Sequence, residues 1–407
     1  MEIENEESRG SRGRWVARSA SWGFLIWSLL AFGSTWGQDS AVELTEEAKA
    51  AEQRLRALLP PDSEAMAMLE AIVQGRSMSR SDGWFNLAKP QTAYGWPQML
   101  ASYDADGDGR LSMDEFPGST ERFAALDRNR DRMLTEADHR WNVEPSSANF
   151  QQNLRRIDAD DDGRVTAAEL QAMTEQLLNG QEFLSIEELR LAWEPPARAG
   201  GGFERPTASQ LMLGLEKQEI GSHLPGPNVG EQGSDFTLKT LQGAKISLAA
   251  LCAEKPVVLI FGNFTCGPFR AQAGNLERLR DKYQEQFHFL VVYVREAHPS
   301  DGWAMQHNES AQIVLPQPTK YLERAAVAER CQNLMSSKLP VVVDEMDDVV
   351  GREYSGMPSR LYLLDGERQV LFKSGRGPHY FNPSELEEAL LWHLAENETI
   401  VADEELP

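Results

Sequence analysis

The run Val-Val-Leu-Ile-Phe at residues 257–261, followed at once by Gly262-Asn263-Phe264-Thr265-Cys266-Gly267-Pro268-Phe269, constrains this chain more than any other stretch. Five consecutive branched or large apolar residues read as a strand covered on both faces. Beyond Pro268, Phe269, Ala273, Leu276, Leu279 and Tyr283 recur at three- and four-residue steps within 269–284 and share one face of a helix. A strand that runs straight into a helix puts Cys266 at the helix N-terminus. There the unpaired N–H groups and the positive end of the helix dipole favour thiolate over thiol. The expectation is a low-pKa nucleophile on a redoxin-type fold; the alternative is a buried cysteine acting as a small apolar filler.

The segments around this junction alternate in type. Residues 236–239 and 245–247 read as a hairpin around Gln242-Gly243, 287–294 and 341–344 as strands, and 321–334 as a helix. A second hairpin, 361–364 with 370–373, turns at Asp365-Gly366, and a helix over 384–394 closes the unit. The order β-α-β-α-β-β-α predicts a thioredoxin-like α/β domain over 229–400.

In a parallel sheet, Arg295-Glu296-Ala297-His298-Pro299-Ser300-Asp301-Gly302-Trp303 leaves the same carboxyl-end edge as Cys266. His298 is a candidate acid or base for Cys266, with Glu296 orienting it or relaying a proton; a purely structural histidine is the alternative. Met357-Pro358, before the strand at 361, is a place for a cis peptide facing the thiol, or an ordinary proline entering a strand. Arg376, in Gly375-Arg376-Gly377-Pro378, is a candidate contact for an anionic or phenolic group, or a solvated side chain. Asn263, Thr265 and Pro358 join Arg376 as candidate substrate contacts.

A different chemistry precedes this domain. Asp104, Asp106, Asp108, Gly109, Ser112 and Glu115 fill positions one, three, five, six, nine and twelve of an EF-hand loop, with Leu111 at the apolar eighth position and Arg110 offering its carbonyl at the seventh. Asp158, Asp160, Asp162, Gly163, Thr166 and Glu169, with Arg164 and Val165 between, repeat the pattern. Asp127, Asn129, Asp131, Thr135 and Asp138 form a weaker copy with Arg132 where glycine belongs, so its affinity should be lower. Leu184-Ser185 and Glu188 are the trace of a fourth, read as a packing partner. The predicted cofactor is calcium, in an all-α EF-hand domain over 96–193. Exported modules of this kind bind it at about 10⁻⁴–10⁻³ M, which favours a structural over a regulatory role.

Acidic residues outnumber basic ones by 63 to 40, a net charge of −23, which speaks against nucleic acid as a partner. Three cysteines, Cys252, Cys266 and Cys331, define no disulfide framework. At the N-terminus a basic stretch, an apolar run over 22–32 and small residues to Gly37 have the layout of a secretory signal. An uncleaved membrane anchor is the alternative, although the run is shorter than the ~20 residues of a comfortable span. Either way the remainder is exported, periplasmic or secreted, and a membrane is a partner only if the leader stays. Residues 38–95 read as short helices broken at Pro60-Pro61, and 194–228, rich in Pro and Gly, as a linker. The fold class is therefore multidomain, an all-α EF-hand domain followed by an α/β thioredoxin-like domain.

From residue 256 to 394, about a third of the chain, the sequence resembles the iodothyronine deiodinases, thioredoxin-fold enzymes that reductively remove iodine from thyroid hormones. The resemblance is carried by Asn263-Phe264-Thr265-Cys266-Gly267-Pro268-Phe269, Phe289-Leu290-Val291-Val292-Tyr293, Glu296-Ala297-His298-Pro299-Ser300-Asp301-Gly302-Trp303, Pro340-Val341-Val342-Val343-Asp344, Arg360-Leu361-Tyr362 and Gly377-Pro378. It implies that Cys266 stands where the family has its catalytic selenocysteine, that His298 and Glu296 handle protons, and that Arg376 contacts substrate. Two departures follow from the same comparison. Phe264 replaces a cysteine two residues before the catalytic position, and Pro318 replaces a histidine implicated in gripping the hormone. A thiol is also less acidic than a selenol, so turnover should be slower.

The expected chemistry is attack of the Cys266 thiolate on iodine of an iodinated aromatic, or on another thiol-reducible substrate, with His298 delivering a proton to carbon. An external thiol reductant then regenerates the enzyme, unless Cys252 or Cys331 reaches the sulfur. The resemblance also implies a homodimer. A one-cysteine thiol peroxidase or reductase is the nearest rival, although Phe269 stands where a dithiol reductase has its second cysteine. An exported calcium-binding scaffold with an inactive redoxin domain is the rival of another class.

Overall fold

The computed structural model describes residues 42–76, 84, 87–139, 157, 165–178, 180 and 206–404. The leader, residues 194–205 of the expected linker, Asp158, Asp160, Asp162 and Arg164 of one calcium loop, and Leu184, Ser185 and Glu188 lie outside them. Among the described residues no helix is long and apolar enough to cross a membrane.

The core is one eight-stranded sheet. Its strands are β1 (Gln91–Thr92), β2 (Thr237–Thr240), β3 (Lys245–Ser247), β4 (Val257–Gly262), β5 (His288–Tyr293), β6 (Val341–Val343), β7 (Arg360–Leu364) and β8 (Val370–Lys373), in the spatial order β1-β8-β7-β4-β5-β6-β2-β3. β4, β5 and β6 are parallel, while β7 runs antiparallel to β4 and β8 to β7. Every residue of β4 is buried, as its unbroken apolar run requires, because helices cover both faces. This is the thioredoxin-like arrangement expected from the order of elements. The expected long helix after Cys266 is two helices, Gly267–Ala271 and Ala273–Tyr283, broken at Gln272. The closing helix is longer than expected, Pro383–Glu404.

Two packings join segments that read as separate. The calcium-loop region shares its core with the sheet: Trp96, Met99, Phe116, Phe123, Leu126 and Leu134 belong to the same apolar cluster as Leu390 and Trp392 of the closing helix. The Phe116 and Trp392 rings meet edge to face at 5.3 Å. Tyr103 Oη donates to Glu396 (2.9 Å), Arg122 pairs with Glu398 (2.5 Å), and His139 pairs with Glu388.

The second packing lies inside the stretch read as a linker. Thr207 and Gln210 form a capping box that starts the helix Ala208–Glu216. This helix packs with Glu46–Leu58 and Glu64–Val73 around Leu55, Met68, Leu69 and Met212, a cluster that also takes in Trp84 and Tyr380. Apolar spacing within 208–216 carried the signal. The surrounding Pro and Gly masked it.

Candidate active site

Cys266 sits where β4 ends, as the N-cap of Gly267–Ala271. The helix can approach the strand because residue 262 is glycine: a Cβ there would lie 2.2 Å from the Phe269 ring. The thiol is buried, with 2% of the residue exposed, and its Sγ lies 3.7 Å from Ser359 Oγ. Burial pushes the thiol up. The Phe269 N–H, Ser359 and the Arg270 charge oppose that shift, and the Glu296 charge adds to it. The low pKa expected from the helix terminus is therefore corrected: a five-residue helix supplies little field, and desolvation outweighs it in this closed state.

Glu296 is buried just after β5. Its Oε2 accepts from Thr265 N (2.8 Å) and Thr265 Oγ1 (2.7 Å), and its Oε1 accepts from Tyr293 Oη. Burial raises its carboxyl while these bonds pull it down. Tyr293 Oη in turn accepts from Phe264 N at 3.0 Å. Glu296 thus holds the Cys266 loop, and the expectation that it orients the His298 ring is corrected. Thr265 Oγ1 accepts the His298 backbone N–H (3.0 Å), so loop and histidine are fixed through one hydroxyl.

The His298 ring is turned by another group. Its Nδ1 lies 3.1 Å from the Trp303 carbonyl, which can only accept, so Nδ1 carries the proton and Nε2 is an acceptor. The Trp303 ring stands edge-on to it at 4.8 Å. Burial pushes the imidazole down to about 4; the Trp303 carbonyl opposes this and the Arg270 charge assists it. His298 is therefore neutral at pH 7, with Nε2 unprotonated, so of the two parts expected for it, acid or base, the resting ring is in the form that can accept a proton. Among the described residues no hydrogen bond joins its ring to the thiol. Followed by NMR, the imidazole should titrate below pH 5; an inflection near the unperturbed 6.5 would show the ring to be solvated.

Asn263 is fully buried. It accepts from Ala297 N (3.1 Å) and donates to the Pro358 carbonyl (3.0 Å), so it ties the Cys266 loop to the Met357-Pro358 bond, which is cis. Asn263 and Thr265 are thus framework within the closed site, and Pro358 alone of the candidate contacts is partly exposed. Arg376 departs furthest from expectation. It is fully buried, donating to Glu64 Oε2 (2.8 Å), Ser355 Oγ (2.5 Å) and the Met357 carbonyl (3.1 Å), with its guanidinium over the Trp84 ring. Arg360 reaches the other Glu64 oxygen at 3.5 Å. Burial pushes the Glu64 carboxyl up, but the two arginines outweigh it and hold it below the usual carboxylate range. The N-terminal helices therefore occupy the arginine that sequence assigned to substrate.

Sequence reasoning missed Arg270, Asn308 and Ser359. Arg270 is buried and donates to the Phe264 carbonyl and to Asn308 Oδ1 (3.0 Å), and Asn308 donates to the Thr265 carbonyl (2.9 Å). Only Ser359 had a readable signal, its place beside the cis proline. Cys252 and Cys331 are free and buried. Burial pushes Cys252 up to about 12, and raises Cys331 well above its ordinary value, with the Glu296 charge adding to the shift.

In the first calcium loop, ligand oxygens of Asp104, Asp106 and Asp108 lie within 4.8 Å of one another, and Gly109 takes φ +80°. Glu115 is turned inward, accepting from Ser112 N (2.8 Å), Ser112 Oγ (2.7 Å) and Ala105 N (3.1 Å). These residues fit a hard divalent cation. The loop of Asp127, Asn129, Asp131 and Asp138 pairs with it through Leu111 and Leu134, and Arg132 keeps the turn at φ 68°. The sharp turn survives without glycine, at a cost of about 1–2 kcal/mol. Thr166 and Glu169, the described part of the Asp158 loop, make the same inward contact at 2.8 Å.

A family model for iodothyronine deiodinase matches residues 216–393, and one for the EF hand matches 98–116 and 151–174. Thyroxine 5-deiodinase of Gallus gallus is 31% identical over 208 residues, covering 51% of this chain and 70% of the relative. Type II iodothyronine deiodinase of Sus scrofa is 32% identical over 213 residues, 51% of this chain and 76% of the relative. Among solved structures, a thiol-disulfide oxidoreductase from Bacteroides fragilis overlaps 39% of this chain and 98% of its own at 18% identity and a TM-score of 0.28. With a thiol at the end of β4, Glu296 and His298 beside it, and relatives of this identity and coverage, the chain belongs to the iodothyronine deiodinase family, a family of oxidoreductases.

Proposed function

We propose that this protein is a thiol-dependent reductive dehalogenase acting on an iodinated aromatic of the iodothyronine class. The observation that carries the reading is the chain of hydrogen bonds from Glu296 through Thr265 to the His298 backbone, built around the one cysteine at the carboxyl end of β4. The Cys266 thiol gives its proton to His298 Nε2, and the thiolate attacks iodine. An S–I bond forms as the C–I bond breaks, and the electron pair left on carbon takes the proton from the imidazolium. One external thiol then displaces iodide from sulfur to give a mixed disulfide, and a second releases the free Cys266 thiol. In this reading His298 works first as base, in keeping with its neutral resting form.

In this reading the site opens when the Glu64-bearing helix withdraws, which would free Arg376 and Trp303 beside His298, because Cys266 is buried and Arg376 is engaged by Glu64. Calcium holds the loops in an exported protein, where the ion is plentiful. The test is iodide release from iodothyronines with excess dithiothreitol, run beside peroxide consumption. Wild type should release iodide and Cys266→Ser should release none above background. Equal release by both proteins would sink the proposal, and peroxide consumption alone would replace it with a one-cysteine peroxidase.

A further inference from the structure

Ser359 has no exposed surface and lies between the cis Met357-Pro358 bond and the first residue of β7. Its Oγ is 3.7 Å from Cys266 Sγ, and among the described residues this is the only hydrogen-bond partner of the hydroxyl. The position is pinned from two sides. Gly377 N donates to the Ser359 carbonyl at 3.0 Å, and Asn263 Nδ2 ties the adjoining Pro358 carbonyl to the Cys266 loop at 3.0 Å. Space for the hydroxyl exists because residue 377 is glycine: a Cβ there would come within 2.2 Å of Ser359 Oγ.

Few other groups can serve the sulfur. The His298 ring is bonded to Trp303, and the Phe269 N–H contributes one backbone donor. Arg270 acts on the thiol through its charge while its Nη atoms bond Phe264 and Asn308; Glu296 acts against ionisation; Cys331 is a buried, protonated neighbour. In the resting thiol, Sγ–H donates to Ser359 Oγ. When sulfur ionises, the hydroxyl rotates and donates in turn, so one partner serves both states without backbone movement.

We infer that Ser359 is a catalytic residue, the side-chain hydrogen-bond donor that stabilises the Cys266 thiolate. It supplies part of what a short helix terminus in a dry site does not. The inference rests on Cys266 being the nucleophile of the proposed reaction, but its deciding test, the pH profile of Cys266 alkylation, needs no iodothyronine, so the two can fail separately.

Ser359→Ala deletes only the hydroxyl. Alkylation of Cys266 by iodoacetamide, followed by peptide mass spectrometry across pH, should show its inflection raised by about one to two pH units and its rate at pH 7 lowered roughly 10- to 100-fold. Iodide release should lose kcat with KM little changed and recover as pH rises past the new inflection. A profile that superimposes on wild type overturns the assignment. So does a rate lowered equally at every pH, the mark of a structural role, or a rise in Cys252 alkylation that shows the fold to be opened.

Discussion

A Glu64→Ala variant should alkylate at Cys266 faster than wild type by roughly 100-fold or more, while Cys252 stays as protected as before. Glu64 is the carboxylate between Arg376 and Arg360, both without exposed surface. Breaking a buried pair from one side costs about 3–5 kcal/mol, because the partner charge is left behind, and each 1.4 kcal/mol placed on local opening is tenfold in the open population. The loss should fall on this contact because the Glu46–Leu58, Glu64–Val73 and Ala208–Glu216 helices have their own apolar cluster, distinct from that of the sheet. The same cluster packs on Trp303, which stands against the His298 ring, so withdrawal frees the histidine as well. Acid should act in the same direction. A carboxyl held below its unfolded pKa contributes stability above that pKa and loses it as pH falls through the folded value. Leu69→Ala is the companion variant, weakening the cluster from a fully buried position without touching either arginine. Cys266 and Cys252 becoming reactive together would mean global unfolding. Neither changing would mean that these helices are no barrier to the thiol.

Chelation of calcium should lower the melting temperature of the whole protein in a single transition. At 10 mM calcium and a dissociation constant near 10⁻⁴ M, each site stabilises the folded state by about 2.7 kcal/mol, which is lost on adding EDTA. Mutual repulsion of Asp104, Asp106 and Asp108, whose oxygens lie within 4.8 Å, then adds to the loss. The effect should reach the sheet because Phe116 and Trp392 share one core, and because Glu388, Glu396 and Glu398 of the closing helix all bond side chains of the calcium-loop region. Calorimetry with and without EDTA decides it. An unmoved sheet transition beside a separate, shifted one would show the two parts to be uncoupled.

What sequence alone determined is local in origin. Alternation of strand and helix, the place of Cys266 at the end of β4 and the ligand spacing of the Asp104 loop all follow from spacing within a dozen residues, whereas the cis form of Met357-Pro358 and its tie to Asn263 across 95 positions do not. Hydrophobic period and ligand register are properties of such windows. Tertiary structure decided the rest, because burial and counter-charge are sums over segments far apart in the chain. The Cys266 thiol is raised rather than lowered because its burial outweighs the Phe269 N–H, the Ser359 hydroxyl 93 positions away and the Arg270 charge. His298 is neutral since burial disfavours the imidazolium, and the Trp303 carbonyl fixes its tautomer. Arg376 meets Glu64 across 312 positions, a pairing no local pattern contains. The helix Ala208–Glu216 has a local apolar spacing, but the two N-terminal helices that bury that face, Glu46–Leu58 and Glu64–Val73, lie far from it in the chain. Sequence thus supplied the candidate thiol and the acidic loop, and the packed structure set the burial of the thiol and the partners that hold both.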